Sequence, residues 1–320
     1  MAVLLLTEDE VRRLATMEMA LEAVEAGLRK MALDEAQNVP RARVQTDHAL
    51  LHSMSASVKT MGVMGAKVYA TSRKNPATFL FALFDGRTAA LLALMQADYL
   101  GQLRTGAASG VATQYMARPD ASEVGVFGSG KQARTQLQAV CKVRRVRQAS
   151  VYSPNEERRK QFAREMSELC QTEVVPVPRP EMAAEKKDII VTATTSRDPV
   201  LLGNWIAQGA HINAIGSNFL AKAELDAAAI RRCNAVVVDS KDQARIEAGD
   251  FQQALEDGSL QWSNVRELGQ VIVGRYTARK HPADVTLFKS LGIAVEDVAL
   301  AARVYARAQE EGVGRVLENW

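Results

Sequence analysis

Gly128 and Gly130 stand two residues apart, with Ala133 three further on, in the stretch VGVFGSGKQA that runs from Val124 to Ala133. The pattern is G-x-G-x-x-A, entered by a short apolar run and left by a helix-forming segment. Gly128 permits a tight turn. Gly130 lets the backbone approach a pyrophosphate, whose charge the N–H groups and dipole of the following helix would hold. Ala133 is the small residue where helix meets strand. Bare glycine spacing is weak, but a strand before it and a strand–helix–strand rhythm after it give the context of a dinucleotide site. Ser129, Lys131 and Gln132 fill the loop and join the candidate cofactor-binding residues.

The end of the next strand selects the cofactor. An acid there would take a ribose 2′-hydroxyl and repel a 2′-phosphate. This chain offers Ser153, Pro154 and Asn155, then Arg158 and Arg159. A hydroxyl, an amide and guanidinium groups suit a phosphate, so NADP(H) is preferred and NAD(H) possible. Thr192 and Thr194, in TATTSRDP after another strand, are candidates for the nicotinamide side. Four scattered histidines lack HxxxH or HExxH spacing, so no metal site is expected.

These residues need a frame. Thr7 with Glu10 makes a capping box, and helical spacing runs from Val11 to Leu28, predicting a helix over residues 7–33. Between Val39 and Leu94, short runs such as LLHSMSASV, MGAKVYATS and TFLFALFD read as antiparallel strands. Asp85-Gly-Arg-Thr88 reads as a hairpin turn. Residues 98–116 return to helix, rich in Ala and Gly, which implies close packing. After Pro119 the alternation VGVFG, KQARTQLQAVCKV, ASVYS, EERRKQFAREMSEL, EVVPV, DIIVTAT, HINAIGS, AVVVD predicts a doubly wound parallel sheet. A last helix is expected over about 294–311, with Val298, Ala301, Ala302 and Tyr305 along one side. The expectation is an α/β protein: a Rossmann-type domain at 120–279, inserted in a split α+β domain of 1–119 plus 280–320.

Bulk properties agree. With 47% hydrophobic and 24% charged residues, 320 residues suffice for two medium domains. A net charge of +3 is too small for a nucleic-acid footprint. The basic runs Lys142–Arg147 and Arg158–Lys160 read as solvated helix faces or loops. MAVLLLTEDEVRRL does not read as a signal peptide, and no apolar run reaches membrane-spanning length. Three scattered cysteines fit a reducing cytoplasm better than a disulfide framework.

MGAKVY, ALMQADYLGQLRTGAASGVATQYMAR, GSGKQARTQ, GSNFLAKAELD, ARIEAGD and FKSLGIAVEDV follow one another as in the ornithine cyclodeaminase/mu-crystallin family, which the chain resembles over nearly its whole length. The resemblance implies a homodimer formed through the split domain, and a carboxylate-binding set at Arg43, Lys67 and Arg104. Arg41 rivals Arg43, because Arg-Ala-Arg leaves the register open. An amino or imino acid always presents a carboxylate. Arg104 can bind it bidentately, and Lys67 adds a charge or a proton as the catalytic candidate. Thr105, beside Arg104, joins the cofactor set. Asp297 matches a family position near the ligand and reads here as a cap or ion-pair partner. Lys222 and Glu224 read as pocket edge or surface.

One departure matters. Where the cyclodeaminases carry an aspartate, this chain has Asn218. An amide cannot act as a general base, but it can hydrogen-bond an imine or amine of the substrate. Hydride transfer needs only a bound nicotinamide and an oriented C=N or C–N carbon. The sequence therefore implies an NAD(P)H-dependent reductase of a small imino acid, such as pyrroline-2-carboxylate or the imine of a keto acid. A cyclodeaminase with recycled NAD and a ligand-binding protein of mu-crystallin type are the alternatives.

Overall fold

The computed structural model describes residues 3–72 and 74–318. Two compact units emerge, Met1–Arg104 with Gly292–Trp320, and Thr105–Leu291. In chain order, the first unit carries β1 (Val3–Leu6), α1 (Glu8–Leu14), α2 (Met17–Ala32), β2 (Ala36–Gln45), β3 (Ala49–Val58), β4 (Val63–Ser72), β5 (Thr78–Asp85) and β6 (Leu91–Gln96). Helix α3 (Asp98–Met116) starts in it and ends in the second unit. There follow β7 (Glu123–Phe127), α4 (Lys131–Val143), β8 (Gln148–Tyr152), α5 (Glu156–Cys170), β9 (Glu173–Pro176), β10 (Ile189–Thr192), β11 (His211–Ala214) and α6 (Ala227–Arg232). The second unit closes with β12 (Ala235–Val238), α7 (Lys241–Glu247), α8 (Gln252–Glu256), β13 (Val265–Glu267), α9 (Leu268–Ile272) and β14 (Thr286–Lys289). The chain then returns to the first unit as α10 (Ala294–Glu311) and β15 (Arg315–Leu317).

The first unit's sheet has the order β15-β1-β6-β5-β4-β3-β2, with β2 to β6 an antiparallel meander. The hairpin turn forms as expected: Asp85 Oδ1 accepts from the N–H groups of Arg87 and Thr88. The first helix is in fact two. Thr7 caps α1 through its box with Glu10, but Ala15 is extended and Thr16 caps α2 by accepting from Met19 N. A second good N-cap residue overrode a continuous apolar spacing. Helix α10 buries Val298, Ala301, Val304 and Ala308, while Ala302 and Tyr305 are only half-buried. The outer face of the sheet leaves Val39, Leu51, Val68 and Leu80 exposed.

The second unit's sheet is parallel throughout, in the order β13-β12-β14-β11-β10-β7-β8-β9. The boundaries fall at 104/105 and 291/292, not near 119 and 280. The physical reason at the far end is β14. It pairs with both β11 and β12 in mid-sheet, and all four of its residues are buried. At the near end the second half of α3 belongs to this unit. A Cβ on Gly106 would lie 2.4 Å from the Thr135 carbonyl oxygen, so the glycine lets α3 rest against α4. Arg144, read as part of a solvated run, instead donates to the carbonyls of Thr113, Gln114, Ala117 and Arg118 at 2.9–3.1 Å and closes the end of α3. No helix among the described residues is long and apolar enough to cross a membrane.

Candidate active site

In the second unit, a cavity of about 490 Å³ opens where β7, β8 and β10 end. Residues 127–130, 152–155, 158, 193–196 and 200 line it. Seven predicted cofactor residues are in this wall: Gly128, Ser129, Gly130, Ser153, Asn155, Arg158 and Thr194. Gly128 has φ +108, and a Cβ there would lie 2.4 Å from the Ala193 carbonyl oxygen. Gly130 caps α4 without a side-chain bond, and a Cβ there would meet open space. The turn therefore needs glycine at 128 for its backbone, and at 130 leaves room for a ligand. Asn155 is the N-cap of α5, its Oδ1 accepting from Arg158 N at 2.9 Å. Among the described residues, no Asp or Glu lines the cavity.

Five predicted residues are not in that wall. Ala133 is fully buried at the helix–strand contact, the role its size suggested. Lys131 is exposed on the first turn of α4. Gln132 has a buried Oε1 with no hydrogen-bond partner among the described residues. Thr105 is buried and its carbonyl accepts from Gln136 Nε2. Thr192 is fully buried and its hydroxyl donates to Glu224 at 2.7 Å, so it acts through the scaffold. Asn218 lies half-buried in the loop after β11. Glu224, read as pocket edge or surface, is completely buried.

In the first unit, the register explains which basic residues meet. Lys67 on β4 pairs with Met54 on β3 and Phe81 on β5. A bulge between Val39 and Ala42 turns Arg41 to Met54, with Nε 3.4 Å from Sδ. Arg41, only 5% exposed, therefore joins the Lys67 row and donates to the Gly292 carbonyl at 2.9 Å. Arg43 lies two residues along, half-buried, with Nε on His52 Nδ1 at 3.2 Å. The choice between the two arginines thus turns on a bulge, and the structure brings Arg41 rather than Arg43 to Lys67.

Lys67 Nζ reaches both oxygens of Asp297 at 2.8 and 2.7 Å. Arg104 Nε donates to the same carboxylate at 3.1 Å, and its Nη1 to Glu296 at 2.8 Å. Asp297 is an ion-pair partner, as read. Glu296 carried no signal beyond its place in AVEDV on α10. Gly292, at φ +74, is needed because a Cβ would lie 2.4 Å from Arg104 Nη1. Burial pushes the Lys67 ammonium down to about 8; Arg104 adds to the fall and Asp297 opposes it. Among the described residues, the cluster sets three buried cations beside two buried carboxylates, a net positive environment that suits an anion. On the next row of the same sheet face, His52 stacks on Tyr69 and Tyr69 on Phe79, at 4.3 and 4.8 Å between ring centres. Burial and the two nearby arginines hold His52 down at about 4, so the ring is neutral.

A parallel sheet with a glycine turn over one end, in a chain that also carries a buried cationic cluster, defines a dinucleotide-binding α/β protein. The chain belongs to the ornithine cyclodeaminase/mu-crystallin family, whose profile matches residues 1–312. It is 34% identical over 322 residues to the alanine dehydrogenase of Archaeoglobus fulgidus, covering 98% of each chain. The fold matches the Δ1-pyrroline-2-carboxylate reductase of Thermococcus litoralis in complex with NADH and L-proline, with a TM-score of 0.93 and 35% identity over 98% of this chain and 99% of that one. It equally matches an archaeal alanine dehydrogenase dimer with bound NAD, with a TM-score of 0.94, 34% identity and full coverage of both chains.

Proposed function

We propose that this chain is a nicotinamide-dependent oxidoreductase that reduces a small imino acid to the amino acid, and that cyclic ketimines such as pyrroline-2-carboxylate are its leading substrates. The observation that carries this reading is the surplus positive charge buried at Arg41, Lys67 and Arg104, which suits the carboxylate common to all such substrates. Arg41 and Arg104 hold the carboxylate. Lys67 gives the substrate nitrogen a proton, and a group near 8 can both donate and recover one close to neutrality. The bound nicotinamide supplies the hydride. The stacked rings of His52, Tyr69 and Phe79 lie about 7 Å along the strands from the cations, and an aromatic neighbour there would favour a small ring over a charged side chain. Asn218 hydrogen-bonds the substrate nitrogen but moves no proton, which counts against cyclisation with ammonia release.

The cofactor we expect is NADP(H), its 2′-phosphate met by Ser153, Asn155 and Arg158 in a wall free of acids. Initial rates with NADPH and NADH, over a panel of cyclic ketimines and of keto acids with amines, test both halves of the reading. No coenzyme oxidation with any pair would refute it. Arg158→Glu is expected to raise the NADPH KM by roughly tenfold, as expected for loss of a charge-assisted bond, while the NADH KM changes little.

A homodimer fits the exposed apolar face of the first unit's sheet, where Val39, Met64, Ala66 and Phe84 also border a groove of about 460 Å³. Light scattering is expected to give twice the chain mass, and Val68→Lys with Leu80→Asp to give the monomer.

A further inference from the structure

Glu224 has no charged role in the reaction described above, yet its carboxylate is the meeting point of two loops. Thr192 Oγ1 donates to its Oε2 at 2.7 Å, and Gly216 N to the same oxygen at 2.6 Å. Thr194 N donates to its Oε1 at 2.6 Å. Thr192 and Thr194 belong to the end of β10 and the loop beyond it; Gly216 opens the loop that carries Asn218. The two amides can only donate, so each needs a carboxyl oxygen that accepts, while burial holds the Glu224 carboxyl above the usual carboxylate range. Close approach is enforced at Gly216, where a Cβ would lie 2.3 Å from Glu224 Oε1 and 2.4 Å from the Thr194 carbonyl.

The carboxylate is itself anchored. Glu224 N and Leu225 N both donate to Asp250 Oδ1, at 2.6 and 3.1 Å. Asp250 pairs with Lys289 of β14 at 2.7 Å, and Lys289 Nζ donates to the Ser217 carbonyl at 2.7 Å. Glu224, Leu225, Asp250, Lys289 and Ser217 are all buried. Its outlet is the cofactor cavity: Ala193, Thr194, Thr195 and Ser196 form one wall, and the Ala193 carbonyl lies directly under Gly128.

We infer that Glu224 is a positioning residue for the dinucleotide: one buried carboxylate sets the 193–196 wall under the glycine turn and locks it to the loop that bears Asn218. The inference rests on the reading that this cavity takes a nicotinamide coenzyme. Glu224→Gln places an NH2 against one of the two amide donors, so one loop must let go, although size and burial are kept.

The test is coenzyme binding by titration calorimetry, with steady-state kinetics, on the full-length protein and three variants. Glu224→Gln is expected to weaken NADPH at least tenfold in Kd and KM, with kcat at saturating coenzyme within threefold of the parent. Thr192→Val, which removes one donor of three, is expected to give a smaller shift in the same direction. Glu224→Asp, one methylene short, is expected not to restore affinity. A merely structural role would lower Tm and kcat together without this split. Parental affinity in Glu224→Gln overturns the inference. If that variant does not fold, parental affinity in Thr192→Val overturns it instead. A parent protein that binds neither NADPH nor NADH removes the underlying reading, and the inference falls with it, a result distinct from a parent that binds and a variant that binds equally well.

Discussion

Lys67→Met is expected to lower turnover by about 10²- to 10⁴-fold, the usual contribution of a positioned proton donor. Coenzyme affinity should not change, because the cavity that would hold it belongs wholly to the other unit. The pH profile gives the sharper sign. Lys67 loses its proton near pH 8. Reduction uses the charged form, so its kcat/KM should be level below pH 8 and fall tenfold per unit above. Oxidation of the amino acid uses the neutral form, so it should rise through the same pH. In Lys67→Met both inflections should vanish. Turnover that survives the substitution, with the inflection intact, would remove Lys67 from the chemistry.

Arg104→Met should produce the largest loss of stability. It removes the guanidinium that bonds both Glu296 and Asp297, whose side chains are fully buried. Breaking a buried pair by removing one partner costs about 3–5 kcal/mol, because the surviving charge stays out of water uncompensated. The same change should raise the substrate KM steeply. Adding Glu296→Gln should recover part of the stability but none of the substrate affinity, since the acid that lost its bond to Arg104 is then neutral. Thermal unfolding and kinetics on the single and double variants separate the two effects. If Arg104→Met unfolds like the parent, the pairing seen at α10 contributes little. Arg41→Met is expected to raise the substrate KM more than Arg43→Met, since only Arg41 joins the Lys67 row.

Much of this protein was legible in one dimension because its signals are local. The strand–turn–helix around Gly128 needs only neighbours in sequence, and α3, α4 and α10 begin and end where their residues indicate. The split of the first unit around a parallel sheet also followed, since a dinucleotide pattern in mid-chain leaves both flanks to fold together. Lys67, a lone cation between apolar residues on a strand, announced itself. The break at Thr16 was present as an N-cap signal, but the apolar spacing across it was stronger.

What sequence alone indicated is the chemistry on offer: a glycine turn suited to a phosphate, basic residues suited to a carboxylate, and an amide where the family resemblance places an acid. What only the tertiary structure decided is which of these groups meet. A bulge chose Arg41 over Arg43; a helix arriving about two hundred residues later supplied Glu296 and Asp297 to Arg104. Strand β14 was claimed by the middle of the second sheet, and Glu224 was carried under two loops. Each is a pairing across long sequence separation, where a one-residue change of register turns a side chain to the opposite face, and no local pattern records which face is taken.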